Sequence, residues 1–175
     1  YQRVDAPWEQ VSQYVGEALF FRSLFYFEKL KKFEDVPWIT SVLDNTSTVL
    51  YSGRLPRNQV VDSIMVDLDK SVECLPERTS SYTGRLTKEV ALLLQARIAL
   101  YEGTWEKYHG LKNTPFKVDG SDGSKFLSKA VEASDALMAL AASNGNTALT
   151  DCTGDFGYTN LFNQRDYSNN KEMLL

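Results

Sequence analysis

An almost unbroken run of apolar side chains at residues 18–27 dominates the hydrophobic pattern of the chain. At 3.6 residues per turn these side chains cannot share one narrow stripe, so they spread over most of a helix surface. Helical spacing continues on both sides and predicts one helix from Trp8 to Phe33. The helix ends before Pro37, because a residue that precedes proline avoids helical backbone angles. We therefore expect a central helix that other helices cover on more than one face.

Two charged residues, Glu17 and Arg22, lie inside this apolar segment. Five positions apart, they do not face each other on a helix. We expect each to have a partner on another element and to tie helices together, with a catalytic role as the minor alternative. Gly16 costs about 1 kcal/mol relative to alanine inside a helix, and its presence indicates close approach by a neighbouring helix.

Apolar residues at positions i, i+3, i+4 and i+7 predict three further amphipathic helices. The second helix begins with Asn58 as its N-cap and stops before Pro76. The third begins after Thr87, a second N-cap candidate, and ends at Gly103, a residue typical of helix C-termini. The fourth covers about residues 125–143, with Asp122 or Ser124 as its cap and residues 144–145 as its end.

The connections between these helices are long and polar. They cover residues 36–57, 79–85 and 106–124, and residues 158–162 form a short helical turn after the fourth helix. No segment alternates convincingly between apolar and polar positions, so the pattern predicts an all-α fold of packed helix pairs with long irregular loops. The third and fourth helices have loose tetratricopeptide character that the insertion after Trp105 interrupts. Stacked helix pairs of this kind are typically interaction scaffolds.

Composition narrows the class of protein. The chain has 175 residues, 43% hydrophobic and 24% charged, which favours one globular region with a sizeable core. Its net charge of −4, without a basic block, argues against a nucleic-acid partner. No apolar run is long enough to span a membrane. Because both ends look cut, we expect residues 1–175 to be a single region excerpted from a longer protein.

Candidate metal and nucleophile chemistry is sparse. His109 is the single histidine, and we expect it in a solvated loop. Cys74 lies on the face of the second helix, and the sequence leaves open whether it pairs with Cys152. No cysteine or histidine spacing fits zinc, so neither a metal nor a cofactor is predicted.

Aspartates give no catalytic pattern either. Asp67 and Asp69 do not share a helix face, and we expect both on a solvated surface. The segment that begins at Asp119 resembles a calcium loop, but it has Ala130 where that loop needs glutamate. A calcium site is therefore not expected.

Three aromatic residues stand on polar connections: Trp38 and Tyr51 on the first, and Tyr82 on the second. An aromatic side chain on a polar loop either packs back against the core or faces a ligand. The sequence alone leaves both alternatives open.

A series of short motifs resembles, in order, the SusD/RagB family. It starts with the GEALFFRSL helix and continues through DVP, LPR, GRLTK and the later LF and NKE elements. The matching segments are 16–24, 26–27, 35–37, 55–57, 61–64, 67–68, 75–76, 84–88, 91–97, 100–101, 158, 161–162 and 170–172. Two positions depart from the family pattern: Glu34 replaces the usual glycine, so the helix must end without its left-handed cap residue, and Ser23 replaces alanine.

The resemblance implies a tetratricopeptide-like scaffold in a surface-exposed outer-membrane lipoprotein of Bacteroidetes. Such proteins are not enzymes. They cover a TonB-dependent, SusC-like transporter and bind nutrients, usually oligo- or polysaccharides. The resemblance further implies that the full protein is about three times this length, with its lipidated cysteine anchor outside this excerpt. No binding residue transfers from the family by motif.

Three functions follow as hypotheses. The first is glycan binding, for which exposed aromatics that stack on sugar faces are needed. Its candidate ligand-binding residues, by loop position alone, are Trp38, Tyr51 and Tyr82. The second is a protein-interaction scaffold that contacts the partner transporter, with the ligand site elsewhere. The third, a glycosidase, needs two carboxylates about 5 to 10 Å apart in a cleft, and no such pair is evident.

Overall fold

The fold is all-α, as predicted. A computed structural model describes residues 5–78, 84–145, 157–163 and 165. In these residues the elements are α1 (Trp8–Phe33), a 3-10 turn (Thr48–Tyr51), α2 (Arg57–Cys74), α3 (Lys88–Leu111), α4 (Ser124–Ser143) and α5 (Gly157–Phe162). The single β-bridge of the described residues joins Val36 and Leu55 at the two ends of the first connection. Tyr82, Cys152 and the NKE motif at 170–172 lie outside the described residues.

The helices pack in the order in which they follow one another along the chain. α1 packs on α2, α2 on α3 and α3 on α4, with one small additional contact between α1 and α3. The core therefore runs as one continuous layer through the stack. Its largest fully buried apolar side chains are Leu30, Val60, Val61, Ile64, Leu68, Leu75, Ile98 and Phe126.

The expected bounds of α1 are confirmed, but the described residues do not place it at the centre of the stack. α1 is the first helix of the stack, and only its α2 side and a small α3 contact are covered by described residues. Tyr14, Phe21 and Phe25 are 60%, 58% and 57% exposed on the opposite side. The apolar pattern shows that this helix needs cover on several faces, but the pattern cannot tell which parts of a polypeptide provide it.

Close approach of α1 and α2 occurs at Gly16, as predicted. A Cβ atom on Gly16 would lie 3.0 Å from both Cys74 Cβ and Leu75 Cγ. Beside this contact, the Ser71 hydroxyl donates a hydrogen bond of 2.8 Å to the Gly16 carbonyl oxygen. Burial raises the pKa of the neighbouring Cys74 thiol. The glycine thus lets the end of α2 pack directly on the backbone of α1.

Glu17 and Arg22 tie elements together, as expected. Arg22 Nε and Nη2 donate to the two Asp67 carboxylate oxygens, both at 2.6 Å. Arg85 donates to Glu17 at 2.9 and 2.8 Å, and this hydrogen bonding holds the pKa of Glu17 below its usual range. The prediction of a solvated Asp67 is wrong, because its carboxylate is buried against Arg22.

The ends of α1 and α2 differ from the sequence expectation. Glu34 itself takes a positive φ of 58° after α1 and donates its N–H to Leu30 O at 2.9 Å. A non-glycine residue with left-handed φ costs about 1–2 kcal/mol. Asn58 is not the N-cap of α2, because the helix already begins at Arg57. The Arg57 N–H donates to Asp35 Oδ1 at 2.9 Å. Asp35 therefore supplies a hydrogen-bond acceptor for one of the backbone N–H groups that lack a partner within the first turn of α2.

The predicted end of α3 at Gly103 is wrong, since the helix continues for two further turns to Leu111. Gly103 is needed for packing. A Cβ atom there would lie 2.8 Å from Leu127 N and Leu127 Cγ of α4 and 3.0 Å from the Gly123 carbonyl oxygen. His109 consequently lies in a helix and not in a solvated loop. Its Nδ1 is 2.6 Å from Thr114 Oγ1.

The bounds of α4 and α5 agree with the sequence pattern. Gly123, with φ 78°, occupies the N-cap position of α4, and Asp122 Oδ1 accepts the Ser124 N–H at 2.9 Å. α4 ends at residues 144–145, where Gly145 has φ 68°. The expected turn over residues 158–162 is the helix α5.

Candidate ligand-binding site

Trp38 packs back onto α1. Its ring lies 4.3 Å from the Tyr26 ring, centroid to centroid, and the Arg22 guanidinium lies 5.6 Å from its centroid. The Tyr26 hydroxyl accepts the Ile39 N–H at 2.8 Å and donates to the Ile39 carbonyl oxygen at 3.1 Å. Of the two alternatives left open by the sequence, the structure places this half-buried ring in packing.

Tyr51 is solvent-exposed and does not pack back against the core of the described residues. It ends the 3-10 turn of the first connection and is 86% exposed. Asp44 holds the residues just before the turn, because its Oδ1 accepts from the Thr46 hydroxyl and N–H at 2.8 Å and from the Ser47 hydroxyl at 3.0 Å. Within the turn, the Leu50 N–H donates to the Ser47 carbonyl oxygen at 3.1 Å. These hydrogen bonds hold the pKa of Asp44 below its ordinary value. The loop therefore presents Tyr51 to solvent on a defined backbone, with Leu50 exposed beside it.

A column of aromatic rings that the sequence did not predict runs along α3. Phe27 and Tyr101 are in edge contact at 5.3 Å, Tyr101 stacks on Trp105 at 6.2 Å, and Trp105 lies 4.2 Å from the His109 ring. Phe116, 5.7 Å from His109, ends the column at the surface. The i, i+4 spacing of the three α3 rings would have predicted this column if α3 had been extended beyond residue 103.

A buried ion pair supports the side of this column. The Arg57 guanidinium lies 3.9 Å from the centroid of the Trp105 ring. Its Nε and Nη2 donate to the Glu102 carboxylate at 2.9 and 2.7 Å, and both side chains are almost completely buried. Arg57 and Glu102 are 45 positions apart, so no local pattern indicates their pairing. Because each charge is satisfied by the other, the pair is suited to structural support.

Glu106 fastens the α3–α4 connection to α3. Its Oε2 accepts the Ser121 hydroxyl at 2.5 Å, and its Oε1 has no hydrogen-bond partner among the described residues. The side chain is buried, and this burial raises the pKa of Glu106. The nearby Glu102 carboxylate raises it further, whereas the Ser121 hydrogen bond and Arg57 oppose the shift.

The raised pKa of Glu106 predicts a pH-dependent stability. The folded protein binds a proton at Glu106 more tightly than the unfolded chain does. The contribution of the protonated side chain to the stability of the fold is therefore complete below about pH 4.5, which is the ordinary pKa of a glutamate. It is lost as the pH rises through the folded-state pKa. Glu106→Gln should remove this pH dependence. At a pH above 7 it should raise the melting temperature by a few degrees relative to the wild type. Thermal unfolding between pH 4 and pH 8 measures the effect, and parallel curves for the two proteins would contradict it.

Clefts border α3 in the described part of the chain. One, of about 470 Å³, lies at the α3–α4 connection and is lined by Lys107, Gly110, Leu111, Asn113, Lys117, Val118, Asp119, Gly120, Ser121 and Asp122. Asp119 is 89% exposed and pairs with Lys117 at 3.3 Å. Asp122 accepts a hydrogen bond from the Ser124 N–H at the start of α4. In the described part of the chain, no group of three or more His, Cys, Asp or Glu side chains is placed to hold a metal ion.

The second cleft, of about 460 Å³, lies among α2, α3 and α4. Asp69 accepts from Gln95 Nε2 at 2.7 Å and pairs with Lys129 Nζ at 3.1 Å, and Lys129 also contacts Glu132 at 3.1 Å. Asp69 is half exposed, as the sequence predicted. Hydrogen bonds and ion pairs thus engage these polar side chains with one another.

The fold is a scaffold of packed helix pairs with one hydrophobic core, and its first connection carries the aromatic side chains of Trp38 and Tyr51. Comparison with known proteins gives the family. Residues 3–100 match the SusD-like family model described as "Starch-binding associating with outer membrane", and the chain belongs to this family. Among curated relatives, it is 26% identical to SusD-like protein P2 of Formosa agariphila over 98 residues. This match covers 56% of the chain and 19% of the relative.

Solved structures show the same fold. A SusD-like protein from Bacteroides fragilis matches 99% of the chain and 28% of its own length, with a TM-score of 0.75 and 23% identity. A second solved protein, BT4246, matches 88% of the chain and 28% of its own length, with a TM-score of 0.67 and 25% identity. The chain therefore spans less than a third of these relatives. Within the described ranges, no helix is both long and apolar enough to cross a membrane.

Proposed function

We propose that this chain is the helical region of a non-catalytic glycan-binding subunit at the outer-membrane surface. The proposal places it in a lipoprotein that works with a SusC-like, TonB-dependent transporter and delivers oligo- or polysaccharides to it. Family membership over residues 3–100 is the observation that supports this function most directly. The description of this family names starch binding and outer-membrane association, which fits a glycan as the ligand.

Within this chain, Tyr51 is the aromatic residue best suited to contact a sugar. It is 86% exposed, and the Asp44 hydrogen bonds hold the residues that lead into its turn. An aromatic ring contributes a large apolar face and loses little conformational freedom on binding, because it has two side-chain torsions. Trp38 is less suited, because Tyr26 and Arg22 already pack against it. We retain Tyr82 as a third candidate on its loop position alone.

Substituting Tyr51→Ala in the full-length protein is expected to weaken binding of the preferred polysaccharide about tenfold or more, since an anchoring aromatic contributes at least about 1–2 kcal/mol. Calorimetry with a panel of polysaccharides measures the affinity. Tyr158→Ala is the matched control, because Tyr158 is 70% exposed on α5 and is not expected to contact the sugar.

Trp38→Ala separates packing from binding. We expect it to lower the unfolding midpoint and to leave the affinity of the remaining folded protein within a few-fold of wild type. Unchanged binding in both the Tyr51→Ala and Tyr82→Ala variants would contradict the site and favour the transporter-contacting scaffold. Release of reducing sugar by the wild-type protein would contradict the non-catalytic assignment.

A further inference from the structure

One face of α1 forms an exposed apolar stripe. Between residues 11 and 27, all of the exposed positions are apolar: Tyr14, Ala18, Phe21 and Phe25. Their spacing of four, three and four residues places them on one side of the helix. At 1.5 Å per residue the stripe is about 16 Å long. Soluble proteins rarely leave a continuous aromatic surface of this kind uncovered.

The position of α1 in the stack identifies this stripe as an unfinished helix interface. Among the described residues, α2 and α3 each have a helix neighbour on two sides, whereas α1 has α2 and only a small contact with α3. In stacked-helix proteins the terminal helix needs a polar outer face to remain soluble. The outer face of α1 is apolar over three turns, so α1 has the surface of an interior helix.

The charges beside the stripe do not fill it. Arg85 pairs with Glu17, and its guanidinium lies 5.0 Å from the centroid of the Tyr14 ring at the N-terminal end of the stripe. Arg22 pairs with Asp67 towards α2. Lys29 lies 5.1 Å from the centroid of the Phe25 ring, near the C-terminal end of the stripe. Charged groups thus reach the two end rings of the stripe, Tyr14 and Phe25, and the stretch between them is left for an apolar occupant.

We propose that a helix from the same polypeptide, outside residues 1–175, packs its apolar face on Tyr14, Ala18, Phe21 and Phe25. The solved relatives are long enough to supply it, because this chain spans 28% of their length. Intramolecular cover also fits the contact mode of the whole stack, in which each helix packs on its neighbour in the same chain. The stripe is thus a continuation of the core, and neither the transporter nor a second copy covers it.

Hydroxyl-radical footprinting of the purified, full-length wild-type protein, without its transporter, tests the proposal. Mass spectrometry then reads the oxidation of each aromatic side chain. We expect Phe21 and Phe25 to be oxidised at least about tenfold more slowly than in the urea-unfolded protein, at every protein concentration. Oxidation at the unfolded rate would overturn the proposal and leave the face open for a partner. Protection that disappears on dilution would also overturn it, because it would indicate a second copy.

A substitution gives an independent measurement. Phe25→Asp in the full-length protein should lower the melting temperature strongly, because it would place a carboxylate in an apolar interface. Val66→Asp is the matched control, since Val66 is 67% exposed on α2. Equal melting temperatures for the two variants would overturn the proposal. If Phe25→Asp does not fold, the wild-type footprint still decides.

Discussion

Replacing Glu102 by alanine is expected to lower the free energy of unfolding by about 3–5 kcal/mol, because it leaves a buried guanidinium without its counter-charge. Arg57 is almost completely buried, lies against Trp105 and donates its hydrogen bonds to the Glu102 carboxylate. Urea denaturation of the full-length protein measures the change. A loss below about 1 kcal/mol would show that water reaches Arg57 and would contradict the buried geometry.

Two control variants test whether the loss of stability comes from the burial of the unpaired charge or from the loss of an ion pair as such. Asp62→Ala removes the partner of Lys125 in a pair whose side chains are both exposed, and it should cost no more than about 1 kcal/mol. The double variant Arg57→Met with Glu102→Leu removes both charges and should recover much of the stability lost by Glu102→Ala. A double variant as unstable as the single one would mean that the volume or ring contacts of Arg57, and not its charge, govern this site.

Gly103→Ala is expected to destabilise the protein by about 1–3 kcal/mol, although alanine is the better helix former. The added Cβ atom would lie 2.8 Å from the Leu127 backbone nitrogen and 3.0 Å from the Gly123 carbonyl oxygen. Backbone atoms cannot rotate away, so α3 and α4 would have to separate. Denaturant titration compares the variant with the wild type.

Gly110→Ala supplies a matched control on the same helix. The nearest atom that its Cβ would meet is the Ser121 carbonyl oxygen at 3.6 Å, an ordinary contact. We therefore expect Gly110→Ala to stabilise α3 by about 0.5–1 kcal/mol. A Gly103→Ala variant as stable as Gly110→Ala would show that α3 and α4 do not touch at this point.

Local patterns predicted the fold well where they follow one helix. Apolar spacing and Pro37 located both ends of α1. The apolar surroundings of Glu17 and Arg22 correctly indicated partners on other elements. The helix end predicted at Gly103 is wrong, because a glycine can mark either a helix end or a close helix contact. Only the contact with Leu127 distinguishes these two roles.

The candidate site was less predictable. Their positions on a polar loop made Trp38 and Tyr51 equally good candidates. Only three-dimensional packing shows that the Trp38 ring is covered and that Tyr51 is exposed. Arg57 and Glu102 are 45 residues apart, and their pairing depends on how α2 lies against α3. Such long-range contacts leave no periodic signal in a single sequence.

The neighbour-to-neighbour packing of the helices has a consequence for the speed of folding. In the described residues, helix contacts mostly join elements that are consecutive in sequence. Their formation requires closure of comparatively short chain segments, so the entropy lost before each contact forms is small. We expect the α3–α4 hairpin, which has the most extensive helix contact, to form early and the other helices to add to it in turn.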